Sequence, residues 1–373
     1  MTLGPSRAGV LSLALSSALA FGQEAPARRD AWTRFRGSPA LAGVADTELA
    51  RPLKLAWSFQ AKDAIASSAA IVGGSVYVGS RDGVLHAVDV DTGKERWQYA
   101  TGSSIEESSP AVRDGVVYVG DMDGVVHAVD ATTGKVRWTF KTEGEIHSSP
   151  NWSDNRLFIG SYDEHLYCLS ATTGALVWKF RTAGPVHSTP SIDKDIVYVS
   201  GCDEQLRGIE VATVRQRFAV PLHNYTGASA AVAGDEAYVG TFGNEVLGID
   251  LARRAVRWTY RYTTRELPFY SSAALAGDRI VLGGRDKVVH CLARSTGRAL
   301  WTFSTRARVD SSPLIVGGRV FVGSNDGNLY ELDLATGRKV WEFTAGAPLV
   351  ASPAAAGGVL VIGSEDGTLY CFK

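Results

Sequence analysis

The feature that most constrains the fold is an aromatic residue that recurs at a nearly constant interval. The successive gaps are 40, 41, 40, 40, 40, 43 and 40 residues, and the members are Trp57, Trp97, Trp138, Trp178, Phe218, Trp258, Trp301 and Trp341. Repeats of about 40 residues that are rich in glycine and short apolar runs are typical of propeller blades. The 373 residues are therefore expected to form one ring rather than two or three separate domains.

Each repeat contains four short runs of β-branched and aromatic residues, separated by three turns. In the second repeat the runs lie at 108–112, 116–120, 125–130 and 135–140, and the turns carry Asp114-Gly115, Asp123-Gly124 and Thr133-Gly134. Glycine supplies the positive φ that tight hairpin turns require. One repeat therefore predicts a four-stranded antiparallel meander, with strands A to D in chain order.

The two ends of the chain predict how the ring closes. The last repeat ends at Lys373, after its strand C, and the missing strand D is found around Trp57, at residues 54–59. Pairing these ends removes two exposed sheet edges that would otherwise invite aggregation. The prediction is an all-β, eight-bladed β-propeller of four-stranded antiparallel blades over residues 51–373, closed by the N-terminal strand.

The residues before the ring divide into two predicted segments. Residues 1–20 resemble a cleavable signal peptide, with Arg7 before an apolar run and the sequence Ala18-Leu19-Ala20 at its end. Residues 21–50 are expected to form a tether and a docking segment, in which Trp32 and Phe35 contact the ring. No cysteine lies near the cleavage point, so we expect no lipid anchor and a periplasmic or secreted protein.

Charge and cysteine usage narrow the chemistry further. The formal charge is −1 and the pI about 6.7, which argues against a nucleic-acid partner, and no later segment reads as a transmembrane helix.

Cys168, Cys291 and Cys371 share one repeat position on strand C, while Cys202 lies in a turn near Cys168. Free buried thiols are favoured over a Cys168–Cys202 disulfide.

The repeat unit resembles the pyrroloquinoline-quinone-like propeller repeat. The resemblance rests on Ser-Ser-Pro-Ala-Val, then Val-Tyr-Val-Gly-x-x-Asp-Gly, then Ala-Val-Asp-x-x-Thr-Gly-Lys-x-x-Trp-x-Phe, and it covers residues 53–373. It implies either a quinoprotein dehydrogenase, with a bound quinone and calcium, or a non-catalytic envelope propeller such as the lipoprotein of the outer-membrane β-barrel assembly machinery. The chain has no vicinal cysteine pair and its largest insertion between blades is three residues. We therefore expect no cofactor, with the quinone or a divalent metal as the alternative.

Candidate ligand-binding residues follow from the fixed register of the repeat. The residue before the Ser-Ser pair opens strand A, the strand nearest the axis, and this position holds Ala66, Glu107, His147, His187, Gly227, Tyr270, Asp310 and Val350. Glu107, His147 and His187 lie on consecutive blades and could position a ligand or hold a metal. Tyr225, Tyr270 and Asp310 complete the candidate set, and no residue is assigned as catalytic.

The turns between strands B and C are predicted to open on the same face as these residues. The residue type at the tip of these turns differs strongly between blades, whereas the rest of the repeat is nearly constant. The candidates for a partner surface are Arg81, Met122, Tyr162, Phe242 and Arg285. Aromatic residues, methionine and arginine are enriched at protein interfaces.

Three hypotheses for function follow. The leading one is a non-catalytic propeller of the cell envelope that binds a partner protein or a small ligand on this upper face. The alternative is a quinone- or metal-dependent oxidoreductase that uses the channel-mouth residues. A third is a sugar-binding propeller, which would need Trp152 and Tyr162 exposed along a groove.

Overall fold

The computed structural model describes residues 1, 2, 4 and 31–373, and every element longer than a bridge in that range is a β-strand. The predicted signal peptide, apart from residues 1, 2 and 4, and the first part of the predicted tether (residues 21–30) lie outside the described residues. None of the residues that the structure describes forms a helix capable of spanning a membrane.

The strands are numbered β1 to β33 in chain order. Two precede the first blade, β1 (Val44–Ala45) and β2 (Leu55–Gln60). Blades one and two contain β3 (Ala70–Val72), β4 (Ser75–Ser80), β5 (Val84–Asp89), β6 (Glu95–Ala100), β7 (Ala111–Arg113), β8 (Val116–Gly120), β9 (Val125–Asp130) and β10 (Val136–Lys141). Blades three and four contain β11 (Asn151–Ser153), β12 (Arg156–Ser161), β13 (His165–Ser170), β14 (Leu176–Arg181), β15 (Ser191–Asp193), β16 (Ile196–Ser200), β17 (Gln205–Glu210) and β18 (Gln216–Pro221). Blades five and six contain β19 (Ala231–Ala233), β20 (Glu236–Gly240), β21 (Glu245–Asp250), β22 (Ala255–Arg261), β23 (Ala274–Ala276), β24 (Arg279–Gly283), β25 (Val288–Ala293) and β26 (Ala299–Ser304). Blades seven and eight contain β27 (Leu314–Val316), β28 (Arg319–Gly323), β29 (Asn328–Asp333), β30 (Lys339–Thr344), β31 (Ala354–Ala356), β32 (Val359–Gly363) and β33 (Thr368–Phe372).

The sheets form eight antiparallel meanders, and the predicted closure is confirmed. Strand β2 pairs antiparallel with β33, so the last blade has the order β2-β33-β32-β31. Trp57 lies opposite Cys371, and Lys54 and Lys373 exchange backbone hydrogen bonds of 2.8 and 2.9 Å. The first and last strands of the ring therefore share one sheet and leave no open gap between blades.

The periodic tryptophans join neighbouring blades. Trp97 donates a hydrogen bond of 3.0 Å from its indole Nε1 to the carbonyl of Ala131 in the next blade. Gly134 of the same turn has a φ of 69° and lies under the indole, where an added Cβ would be only 2.8 Å away. The same donation to the next blade is made by Trp57, Trp138, Trp178, Trp258 and Trp301. The interval of about 40 residues is thus the spacing of a repeated contact between blades.

The second residue of the pair that begins strand A is a serine or threonine in every blade. These eight residues form a closed ring of hydrogen bonds around the channel. The backbone N–H of each donates to the hydroxyl oxygen of the equivalent residue in the next blade, at 2.9–3.1 Å. The eight members are Ser68, Ser109, Ser149, Thr189, Ser229, Ser272, Ser312 and Ser352. This ring fixes the strand A backbones and leaves eight hydroxyls facing the channel.

Residues 32–47, named here the N-terminal belt, contact every blade in turn, at strand A in blades one to seven and at the turn after strand A in blade eight. The contacts are backbone hydrogen bonds of Trp32 with Ile71, Thr33 with Val112, Pro39 with Ile192, Ala40 with Val232, Ala42 with Leu275 and Gly43 with Ile315, together with bonds from Arg34 to Asn151 and from Gly358 to Thr47. Strand β1 of the belt also pairs in parallel with β27. Blade seven therefore has five strands instead of the four that the repeat predicts.

All four thiols are free, and three of them are buried on strand C of their blades. Burial raises the pKa of Cys168 and Cys371 to about 12 and that of Cys291 to about 11. Cys202 is half-buried, and burial with the nearby Asp203 raises its thiol pKa as well.

We therefore expect only Cys202 to react with an aromatic disulfide reagent in the native protein, since the thiolate is the reactive form. Spectroscopic titration should count one thiol before and four after unfolding in urea without reductant. A count of two after unfolding would instead reveal a disulfide.

Candidate functional site

The residues that precede the Ser-Ser pairs converge on a single cavity at the channel mouth. All eight line a volume of about 300 Å³, together with the hydroxyl ring beneath them. Phe35 of the N-terminal belt lines the same cavity. The belt contacts strand A at residues that follow the hydroxyl ring in the chain, whereas the cavity is lined by the residues that precede it.

Three hydrogen-bonded side chains from blades two, four and six form a cluster on one wall of the cavity, and a histidine from blade three stacks on it. His187 Nε2 lies 2.9 Å from Glu107 Oε2 and 3.0 Å from the hydroxyl of Tyr270. The Tyr270 hydroxyl donates to Glu107 Oε1 at 2.8 Å. The rings of His147 and His187 are stacked, with centroids 5.1 Å apart. The structure thus brings together the carboxylate and both imidazoles that the sequence singled out.

A second layer of groups supports this cluster. The hydroxyl of Tyr162 lies 2.8 Å from His187 Nδ1, and its ring packs on His147 with centroids 4.6 Å apart. Glu145 Oε2 lies 3.5 Å from His147 Nε2. Tyr162, predicted only as a loop tip for partner binding, therefore also orients the second imidazole.

The electrostatics of the cluster favour an ionised carboxylate beside a neutral imidazole. Burial alone would raise the pKa of Glu107, but the hydrogen bond and charge of His187, with Tyr270 and His147, outweigh it and lower this pKa to about 2. Burial and the neighbouring His187 lower the pKa of His147. Burial and the charge of Glu107 raise the pKa of Tyr270. At neutral pH, Glu107 is charged, His147 is neutral and Tyr270 keeps its proton.

The opposite wall of the cavity consists of mutually paired charges. Asp310 accepts from Arg285 at 2.8 Å and from Arg308 at 2.9 Å. Arg81 donates to Glu106 and to Glu365, both at 2.7 Å. Asp310 lines the predicted cavity but does not join the Glu107 cluster, because two guanidinium groups hold it. Arg308 lies in a crossover loop, outside the repeat position that identified the candidate residues.

An apolar pocket lies beside the cavity on the upper face and is named here the aromatic pocket. Its volume is about 280 Å³, and its lining residues are Tyr162, His187, Cys202, Tyr225, Thr226, Gly227, Phe242 and Tyr270. Tyr225 is 54% exposed and Phe242 is 39% exposed. Tyr225 was predicted as a ligand-binding residue of the channel mouth, but it lines this pocket and not the cavity. Met122 is half-buried and lines neither space.

The loop tips are held rigidly against the crossover loops. The tip N–H of Tyr162 donates to the carbonyl of Glu145, and that of Phe242 donates to the carbonyl of Tyr225, both at 2.9 Å. Arg81 and Arg285 make the equivalent bonds to Ala64 and Pro268, also at 2.9 Å. Both arginine side chains turn inward and line the cavity.

The groove that a sugar-binding propeller would need is not formed at Trp152. The guanidinium of Arg34, from the N-terminal belt, stacks on the Trp152 ring at 3.5 Å from its centroid. Trp152 lies on β11, at the belt side of the ring, whereas Tyr162 lies at the upper face. The two aromatic side chains are therefore on different faces and do not share a groove.

A family comparison identifies the repeat. The profile of the outer membrane protein assembly factor BamB family matches residues 54–149, 122–268 and 261–373. The chain belongs to this family. The BamB-family profile thus covers the whole ring, including the incomplete last blade. No curated protein sequence gives a significant match.

Solved structures share the fold of this BamB-family chain at low sequence identity. BamB from Moraxella catarrhalis is 20% identical with a TM-score of 0.73, over 86% of this chain and 97% of that one. A quinohemoprotein alcohol dehydrogenase from Comamonas testosteroni is 16% identical with a TM-score of 0.80, over 93% and 81%. A europium-containing methanol dehydrogenase is 14% identical with a TM-score of 0.79, over 93% and 98%. These similarities show the propeller architecture.

The donor set in this BamB-family propeller does not fit the calcium ion that the dehydrogenase resemblance implies. Calcium takes six to eight oxygen ligands, mainly carboxylates and carbonyls. The Glu107 cluster offers one carboxylate beside two imidazoles and a protonated tyrosine, and the Asp310 carboxylate is bound by two arginines. No catalytic step through a quinone and calcium is derived for these residues.

Proposed function

We propose that this chain is a non-catalytic propeller scaffold of the cell envelope that binds a polypeptide partner on its upper face. The observation that carries the proposal is the aromatic pocket, where Tyr225 and Phe242 remain exposed beside a volume of about 280 Å³. Membership of the BamB family supports an envelope location.

The chemistry of the pocket favours an apolar or aromatic side chain of a protein. Aromatic residues around a concave, largely apolar space are typical of the anchoring sites at protein interfaces. A volume of about 280 Å³ is close to the lower end of small-molecule pockets and is enough for one or two large side chains. The arginines at the channel mouth are already paired with acidic residues, so they add little net charge to attract an ion.

The rigidity of the tips also supports a binding role. The tip and crossover backbones are joined by hydrogen bonds at Phe242 and Tyr162, so the walls of the pocket are formed before a partner arrives. A preformed site loses less conformational entropy on binding than a mobile loop does.

The test is site-specific photocrosslinking in the native envelope. A photoreactive amino acid at Tyr225 should crosslink to one defined protein, whereas the same residue at Val340, 61% exposed on an outer strand, should not. With the purified partner, Tyr225→Ala/Phe242→Ala should weaken binding about 100-fold, as expected for two anchoring aromatics. Val340→Ala should leave the affinity unchanged.

Two outcomes would contradict the proposal. One is equal crosslinking from Tyr225 and Val340, and the other is an unchanged affinity in the double variant. Binding of a small organic ligand in place of a protein would make the chain a ligand-binding propeller and would also contradict the proposal of a polypeptide partner.

A further inference from the structure

We infer that Glu107, His147 and His187 form a binding site for a divalent first-row transition-metal ion, with Zn²⁺ as the reference ion. The metal site can be tested separately from partner binding, because Glu107 and His147 do not line the aromatic pocket, whereas His187 lines both spaces. The three residues come from the same position of three consecutive blades, so the ring geometry directs them to one point.

The distances are close to those of a coordination sphere. One ligand atom from each residue lies within 4.8 Å of the others. Two ligands that are each about 2.1 Å from an ion are about 3.0 Å apart at a right angle and about 3.4 Å apart at a tetrahedral angle. The pair His187 Nε2 and Glu107 Oε2, at 2.9 Å, already has nearly this spacing. Only His147 has to approach, by a rotation of its side chain.

The groups around the three ligands hold the correct atoms toward the ion. Tyr162 contacts Nδ1 of His187, and Tyr270 donates to Oε1 of Glu107, which leaves Nε2 and Oε2 pointing at each other. An ion between these two atoms is bound by the Nδ1–H tautomer of His187: a proton at Nε2 passes to solvent, Nδ1 takes one up from solvent, and Nδ1–H donates to the Tyr162 oxygen. Such outer hydrogen bonds orient metal ligands and fix the imidazole tautomer.

The donor types decide the class of ion. Two imidazole nitrogens and one carboxylate oxygen suit zinc, cobalt, nickel or copper better than calcium or magnesium, which prefer oxygen. Three protein ligands leave a fourth position that faces the cavity of about 300 Å³ at the channel mouth. Water or a small anion from that cavity completes the sphere.

The charges around the site permit a cation. Glu107 lies within the cluster and Glu145 lies 3.5 Å from His147. Arg285, whose guanidinium stacks on Tyr270 at 4.3 Å, shares Asp310 with Arg308. Arg81 pairs with both Glu106 and Glu365, so the three arginines of the opposite wall are balanced by three carboxylates.

The experiment uses the mature protein after treatment with a chelator and dialysis. Titration calorimetry with ZnCl₂ should give one ion per chain, and CoCl₂ should give the strong visible absorption of four-coordinate Co²⁺. Zn²⁺ should also raise the melting temperature of the wild-type protein. His187→Ala and Glu107→Gln should each weaken Zn²⁺ binding at least about 100-fold, because a two-ligand site remains.

A matched control comes from another histidine–carboxylate pair. His165 lies 3.3 Å from Asp163 and is 17% exposed, as is His147, but among residues 31–373 no third ligand belongs to its group. His165→Ala should bind Zn²⁺ as the wild type does. The circular dichroism spectrum and melting temperature of each variant in chelator distinguish a loss of binding from a loss of folding. If His187→Ala does not fold, Glu107→Gln remains as a test, since it keeps the shape of the side chain. Absence of stoichiometric binding, or an affinity unchanged in folded Glu107→Gln, would overturn the inference.

Discussion

Replacing Trp32 with alanine is expected to lower the free energy of unfolding by about 3–5 kcal/mol, the usual cost of truncating a buried aromatic side chain. Trp32 is only 3% exposed and belongs to the apolar core that blades one, seven and eight share. Its ring lies on the backbone of Gly37, and its own backbone exchanges two hydrogen bonds of 2.8 Å with Ile71.

The effect should be measured by urea denaturation and compared with Val340→Ala, which truncates a side chain that is 61% exposed. The control should change stability by less than about 0.5 kcal/mol, as surface substitutions usually do. A loss below about 1 kcal/mol at Trp32 would mean that the N-terminal belt does not contribute to the stability of the ring.

Replacing Arg319 with methionine is also expected to cost about 3–5 kcal/mol, because it leaves a buried carboxylate without its partner. Arg319 and Glu331 form two hydrogen bonds of 2.8 Å across β28 and β29, and their side chains are 6% and 3% exposed. Arg319 also donates to the carbonyls of Leu49 and Ala50, at 2.9 and 3.1 Å.

A double-mutant cycle distinguishes the lost pair from lost packing. Arg319→Met/Glu331→Leu removes both charges and should recover a large part of the stability lost in the single variant, since an apolar pair of similar size avoids the desolvation cost. Urea denaturation of the wild type and the three variants gives the coupling energy. A double variant less stable than either single one would contradict the explanation.

The fold could be predicted because each contact that recurs from blade to blade needs the same type of residue at the same position of the repeat. The tryptophan period, the Asp-Gly turns and the missing strand D gave the blade, the number of blades and the closure, and the structure confirms each. The fixed register also located the channel mouth, since one position per repeat opens strand A. Glu107, His147 and His187 could be brought together from sequence for the same reason.

The features that the sequence did not predict lie in segments outside the repeats or in loops whose residues do not recur. The N-terminal belt precedes the first repeat, so its sequence predicted only that Trp32 and Phe35 dock on the ring, and no period marked its contacts with all eight blades. Asp310 occupies the expected position, but Arg308 and Arg285 reach it from loops whose side-chain directions no spacing determines. The aromatic pocket combines Tyr225 of one crossover loop with Tyr162 and Phe242 of two loop tips, and these residue types do not recur from blade to blade.

The N-terminal belt fixes how many blades the ring can have. It is a single stretch of 16 residues, 32–47, that makes one set of contacts per blade in the order in which the blades follow along the chain. A ring of seven blades would leave a length of belt without a partner, and a ring of nine would leave one strand A bare. Gain or loss of a single repeat would therefore require a matching change in the length of the belt, which lies outside the repeats.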